Sequence, residues 1–358
     1  MAGVPRVKRV LVDRHHADLF HSMQVLLEDR LGYLVYTPIG REWWDEGYWQ
    51  FGKGYGDDRL ARQFLNKDGW VPIGGDLPDG YRVYSWHDPH HPDRKIRGVE
   101  LGNVKAAPGE WTHIVATVQD NQRGFHRLAE ELTEAKRAAY LSYPDASVKY
   151  VLQVGNTNQA VDWGLDPLAL VSSEVPIQGR GVRIHQPMDP VFAYRKPVKS
   201  RTIRSFVNCF NSTPCIDPFA AIGRQLREFT FYTHGIDGSD GDVQPVSVIA
   251  DYMAQSLFGW HDKVQGDGFG HVIHDWAAVG RPIIGHASHY AGKMAEVFWR
   301  DLETCIDLDR HPIPEVAELV REIAASPARH RAMCRAIRDE FDRIDWDAEA
   351  DAVRELLA

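Results

Sequence analysis

The stretch "QGDGFGHVIHDWAAVGRPIIG", Gln265–Gly285, decides how the chain reads. Asp267 and Asp275 stand eight positions apart with Gly268-Phe269-Gly270 between them. A helix-like run follows and closes on Gly280-Arg281-Pro282 before the apolar Ile283-Ile284. Glycines at 268 and 270 let backbone approach a ligand, and the amides of a turn entering a helix point at anionic or hydroxyl groups. Asp275, early in the helix-like part, can face the same crevice, where a carboxylate accepts two hydrogen bonds at once from paired hydroxyls such as those of a ribose. Asp267, on the loop ahead of the turn, suits another hydroxylated group. On spacing alone the stretch is either a polyol-and-phosphate cradle or a helix N-terminus with acidic caps.

Other glycine signatures fail. "GDGFG" lacks the GxGxxG spacing of a dinucleotide fingerprint and does not follow an N-terminal first strand. "GHASHYAGK", Gly285–Lys293, is continued by Met294 where a phosphate loop needs Ser or Thr. Neither a dehydrogenase nor a phosphate-loop ATPase is supported.

The 358 residues, 44% hydrophobic and 25% charged, have globular composition, and the length favours two domains. No apolar run approaches the ~20 residues of a membrane span, and "MAGVPRVKRVLVD" goes straight from a basic lead into a strand, so neither membrane insertion nor a signal peptide is expected. Cys209, Cys215, Cys305 and Cys334 form no CxxC pair, which suits a reducing cytoplasm and argues against a cysteine metal site. Of the net charge of −9, residues 1–204 carry +2 (27 Lys+Arg, 25 Asp+Glu) and residues 205–358 carry −11 (14 against 25). An acidic total argues against indiscriminate nucleic-acid binding but leaves room for a local basic face in the first part.

Short β-rich runs alternate with helix-like segments, the pattern of open parallel sheets covered by helices. Strands are expected at 7–12, 33–37, 113–118, 149–154, 168–172 and 182–185, then at 202–209, 229–233, 282–284 and, weakly, at His271–Val272. Helices are expected at 19–30, 124–140, 218–225, 246–256, 274–279, 314–326 and 328–341. Residues 41–110 form a long aromatic-rich insertion, expected to be irregular, ordered and functional. The proline-rich, basic Gln186–Arg201 suits a connector.

"DGFGHVIHDWAAVGRPIIG" resembles the donor-binding signature of GT-B-fold glycosyltransferases, above all the large retaining, glycogen-synthase-like superfamily. That signature carries an acidic residue, Gly-Phe-Gly, a second acid eight positions after the first, small residues and Gly-x-Pro. Aspartates stand here where glutamates are usual. The tail Glu322–Leu357 resembles the family's closing helices, with an aromatic, Trp346, before an acidic turn. The resemblance implies an α/β chain of two Rossmann-like domains with parallel sheets facing an interdomain cleft. Residues 1–190 would form the acceptor-side domain with its 41–110 insertion, 191–201 a linker, and 202–340 the nucleotide-sugar domain. A C-terminal helix in 341–358 would cross back to the first domain. By the same resemblance Asp275 holds the ribose, and Asp267 with the backbone of Gly268, Phe269, Gly270 and His271 touches the transferred sugar. No metal or other cofactor is implied beyond a UDP-sugar co-substrate, because cations and helix ends neutralise the leaving diphosphate. The family's Arg and Lys after the first strand of the second domain are missing from "FVNCFNSTPCIDPF", Phe206–Phe219. Asn211, Ser212 and Thr213 are left as neutral donors there, and Arg204, Arg224, Lys263 or Arg281 must bring charge.

On the acceptor side, His15 and His16 follow the first strand, as hydrogen-bonding groups, as a base near neutral pH, or as ordinary loop histidines. Asp120, at another strand end, is the candidate base for an inverting reaction or else a helix N-cap. Trp43 and Trp44 suit a sugar or base platform, or the insertion's own small core. Gly179–Arg204 holds seven cations, Arg195, Lys196 and Lys199 among them, against the single acid Asp189. It is either a track for double-stranded DNA or a solvated basic linker. "VDRHH" with "LLEDRLGYLVYTPIG" resembles phage-encoded members that glycosylate hydroxymethylated DNA bases, which would place the protein in a host cytoplasm. The expected function is transfer of a sugar from a UDP-sugar to a hydroxyl. The acceptor is a 5-hydroxymethylpyrimidine in phage DNA, a glycan or a small molecule. The alternatives are a sugar-nucleotide epimerase of the same fold and a non-catalytic nucleotide- or glycan-binding module.

Overall fold

The structure is a computed structural model. It describes residues 7–12, 17–39, 69–74, 77, 81–100, 111–118, 149–155, 167–208, 210–212, 214, 216–263 and 266–358. They divide into two compact units, residues 1–187 with 346–358, and residues 188–345.

The first unit is built on a nine-stranded sheet of order β3-β4-β5-β2-β1-β6-β7-β8-β9. Its strands are β1 Arg9–Val12, β2 Leu34–Ile39, β3 Val71–Ile73, β4 Val83–His87, β5 Lys95–Glu100, β6 His113–Val118, β7 Lys149–Val154, β8 Leu168–Val171 and β9 Gly181–Arg183. From β5 through β9 every pairing is parallel; β3-β4 and β4-β5 are antiparallel. Strand β1 is buried on both faces, as a central parallel strand must be. Val10 and Val12 enter one core with Phe20, Met23 and Val35, and Leu11 enters another with Tyr36, Val99 and Trp111. Helix α1, Ala17–Gln24, continues into a π-helical turn, Val25–Arg30.

The second unit has five parallel strands in the order β11-β10-β12-β13-β14. They are β10 Thr202–Ser205, β11 Thr230–Thr233, β12 Phe258–Trp260, β13 Ile283–Gly285 and β14 Cys305–Asp307. Helices α2 Ile216–Gln225, α3 Val246–Ala254, α4 His271–Val279, α5 Ile313–Ala325 and α6 Pro327–Phe341 accompany them. Ile203, Phe219, Ile222, Phe258, Ile284, Ile306, Val316 and Val320 make one apolar cluster. Strand order reverses at β10, so the crevice beyond the carboxyl ends of β10 and β12 is where this topology offers a ligand site.

Three expectations change. His271–Val272 open α4 and are not a strand, because left-handed Gly270 (φ 82°) redirects the chain and its carbonyl receives the Nδ1–H of His274 one turn on. The 41–110 insertion is not irregular throughout, since β3, β4 and β5 extend the sheet. Strands β12 and β14 were not expected at all; each is three residues long and carries no alternation to betray it. A seventh helix, α7 Trp346–Leu356, places Ala350, Val353 and Leu356 in the core of the first unit.

Candidate functional site

The loop leaving β12 gathers a cluster of buried polar side chains. Pairing continues past the strand, with His261 N–H donating to Ile284 O at 2.9 Å, and His261 and Asp262 are both buried. The chain turns at Gly266 (φ 66°) and presents Asp267, then Gly268, Phe269 and Gly270, all buried, and enters α4. Gly270 supplies no side-chain acceptor to the first turn of α4. The stacked Phe269 and His274 rings (centroids 4.0 Å apart) pin the turn to the helix it opens.

Asp267 is 9% exposed and is the focus of this loop. His261 Nε2 donates to its Oδ2 at 3.1 Å, Tyr290 O–H reaches the same oxygen at 3.5 Å, and Lys263 pairs with Oδ1. Burial opposes the charge of Asp267, but Lys263 and the His261 hydrogen bond outweigh burial and hold the carboxyl far below the usual carboxylate range. Burial, with the charge of Asp267, pushes the Tyr290 phenol well above its ordinary value. The result is a carboxylate that stays charged in a shielded, preorganised setting, able to accept hydroxyl hydrogens. Lys293 lies with its Nζ 5.6 Å from the centre of the Tyr290 ring.

One strand over, the loop after β13 brings His286 and His289 to Asp262. His286 Nδ1 lies 2.8 Å and His289 Nδ1 3.6 Å from Asp262 Oδ1, and the two rings are 4.9 Å apart. The three ligand-type atoms all fall within 4.8 Å of one another. Hydrogen bonding to Asp262 raises the pKa of His286, whereas burial, then the neighbouring His286, lowers that of His289.

The match to solved structures settles the architecture. The chain is similar to sucrose-phosphate synthase from Thermosynechococcus elongatus, at 13% identity and TM-score 0.58, over 98% of each chain. It is similar to Anabaena HepE in complex with UDP and glucose, at 13% identity and TM-score 0.59, over 98% of this chain and 99% of that one. It is also similar to an alpha-glucosyltransferase in complex with UDP-glucose and DNA containing an abasic site, at 9% identity and TM-score 0.61, over 98% and 100%. The fold is GT-B. No family model matches the chain, and no curated protein matches it by sequence.

Within this GT-B chain, Asp267, Gly268, Phe269, Gly270, His271 and Lys263 stand together at the β12–α4 turn, with Asp275 half-buried on the second turn of α4. Asn211 lies on a short 3-10 helix, Phe210–Ser212, beyond β10, where its Nδ2 donates to Ser239 Oγ at 3.2 Å. Ser212 shares that turn. Thr213, His15, His16, Asp120, Trp43 and Trp44 lie outside the described residues. Arg195, Lys196 and Lys199 are exposed, and Arg195 pairs with Asp251 at 2.7 Å.

Two of the four expected sources of positive charge serve the fold. Arg281 is fully buried and donates to the carbonyls of Ala254, Arg195, Val279 and Gly280, gathering loose chain ends. Arg204 lies between Tyr232 and Tyr252, 4.6 and 4.8 Å from their ring centres, and donates to Tyr252 O and Ser256 Oγ. His261, Tyr290 and Lys293 were missed by sequence reasoning. His261 directly follows an unrecognised strand, and Tyr290 and Lys293 sat inside "GHASHYAGK", set aside as a failed phosphate loop. Among the described residues no helix is long and apolar enough to cross a membrane.

Proposed function

We propose that the chain is a glycosyltransferase that moves a sugar from a UDP-sugar to a hydroxyl acceptor. The observation that carries this reading is Asp267: a shielded carboxylate, held in its charged form by Lys263 and His261, on a glycine turn leaving a central parallel strand, eight residues before a second carboxylate on the helix that follows. In this reading Asp275 accepts the two ribose hydroxyls, and Asp267 accepts hydroxyls of the transferred sugar. Lys263, Lys293 and the N-terminus of α4 stabilise the charge that develops on the departing diphosphate. Asn211 adds a neutral hydrogen bond from the 3-10 turn after β10. Support for UDP comes from the UDP held by HepE and the UDP-glucose held by the alpha-glucosyltransferase.

For the acceptor, the proposal is a 5-hydroxymethylpyrimidine in double-stranded DNA. The exposed Arg195, Lys196 and Lys199 offer phosphate contacts, and one similar structure holds DNA. The chemistry displaces UDP from the anomeric carbon; the acceptor oxygen forms the new bond and its proton leaves with the diphosphate or a base. Mass spectrometry of products from a UDP-sugar panel, offered hydroxymethylcytosine DNA, hydroxymethyluracil DNA and simple glycans, tests it. A hexose mass added to one DNA acceptor is expected. Transfer to glycans alone overturns the DNA acceptor, an epimerised donor without transfer favours the epimerase, and UDP binding without turnover favours the binding module.

A further inference from the structure

The cluster at the carboxyl ends of β12 and β13 uses none of the groups assigned above. Asp262 is 3% exposed, which is costly for a carboxylate unless it meets a cation or several donors. His286 and His289 are spaced i, i+3 on and just before the 3-10 turn Ala287–Tyr290. The extended backbone of His286 (φ -90°, ψ 114°) and the turn that carries His289 bring the two imidazoles together, 4.9 Å apart. The turn is itself fixed. Ala287 N–H donates to Asp307 Oδ1 at 3.1 Å, Ser288 N–H to Asp309 Oδ2 at 2.7 Å, and Asp309 N–H to Asp307 Oδ1 at 3.0 Å. From the other side, Gly266 packs so tightly on the His289 carbonyl that a Cβ there would clash.

His289 Nδ1 is the decisive atom. It is buried and has no hydrogen-bond partner, yet it aims at Asp262 Oδ1 from 3.6 Å, too far to donate. Ligand atoms of a tetrahedral zinc ion with bonds of ~2.0–2.1 Å lie roughly 3.3 Å apart. The two separations from Asp262 Oδ1, 2.8 and 3.6 Å, bracket that value, and all three ligand atoms lie within 4.8 Å of one another, so side-chain adjustment would admit the ion. Both imidazoles are about one quarter exposed (27% and 24%), which leaves a path for entry.

We propose that Asp262, His286 and His289 bind one divalent transition-metal ion of the zinc class, with water in the remaining position. Two imidazoles and one carboxylate suit zinc or cobalt and exclude a site selective for calcium or magnesium, which take oxygen ligands. The site does not depend on sugar transfer. The ion ties the β13 loop to the β12 loop that carries Asp267.

Tag-free full-length protein, stripped with chelator and titrated with Co2+, tests this. One equivalent per chain with the visible absorption of a four-coordinate N/O site is expected, displaced by Zn2+. His286→Ala and His289→Ala are each expected to weaken Co2+ binding by about 100-fold or more, beyond the 10–100-fold typical of outer-shell partners. His311→Ala, whose imidazole pairs with Asp301 and Glu315, is expected to bind as wild type. X-ray absorption of zinc-loaded wild type is expected to show two imidazole ligands, which decides the matter even if a variant does not fold. No saturable Co2+ binding, undiminished binding in both loop variants, or fewer than two imidazoles on zinc overturns the proposal.

Discussion

Asp267 and Asp275 carry the account at the scale of single residues, and they do so differently. Asp267→Asn preserves shape but removes the charge that Lys263 and His261 face. Lys263 is 39% exposed and can turn to water, so the stability loss is expected at about 1–3 kcal/mol in denaturant unfolding. Transfer is expected to fall at least ~100-fold, the scale of losing an electrostatic contact to the reacting group. Full activity would remove Asp267 from the site. The acid, the glycine turn and the second acid that make up the candidate cradle were legible in the sequence because all of them lie in one short stretch. The partners of Asp267 were not, because Tyr290 comes 23 positions later and reaches it only through the register of β13 beside β12. Arg281 shows the opposite error: a cation in a promising motif that the fold uses for carbonyl oxygens.

At the scale of elements, the site depends on how α4 sits on β12. Gly259 in the middle of β12 lies against the Trp276 indole of α4, and an added Cβ would clash with the ring atoms. Gly259→Ala is therefore expected to destabilise the second unit by roughly 1–3 kcal/mol through overpacking, and to weaken UDP binding by shifting the turn. Urea unfolding and UDP titration of the same variant check both; a variant as stable as wild type contradicts this packing. Long amphipathic helices such as α5 and α6 were legible from their apolar periodicity. Strands β12 and β14 were hidden because three fully buried residues need no alternation. The start of α4 was misjudged since a left-handed glycine, not a Ser or Asp cap, begins it.

For the whole molecule, the carboxyl-terminal segment is structurally part of the first unit. Lys8 and His113 reach the carbonyl of Leu357 at 3.2 and 3.0 Å, and Glu349 accepts from His185 N–H at 2.8 Å. Removing residues 346–358 strips Ala350, Val353, Leu356 and Leu357 from that core, and loss of the first unit's cooperative thermal transition is expected; an unchanged transition would contradict it. Burial, reinforced by the Lys8 and Lys149 cations and opposed by the Leu357 carbonyl, lowers the pKa of His113 to about 4. An unfolded histidine titrates near ~6.5, so between these values the unfolded chain binds a proton that the native one refuses. The stability from neutral His113 is complete above ~pH 6.5 and is lost as pH falls toward 4, by up to about 3 kcal/mol. Denaturation series across that range are expected to show a slope that His113→Gln flattens.

The central claim, that the β12–α4 turn grips a nucleotide sugar, is tested most directly by titrating UDP into wild type and Asp275→Ala while following the backbone amide signals of the second unit. Saturable shifts at Gly268–His271 in wild type are expected, with affinity in the variant weakened by ~1–3 kcal/mol for a lost charge-assisted contact. UDP that leaves those amides unmoved, or binds the variant as tightly as wild type, would contradict it.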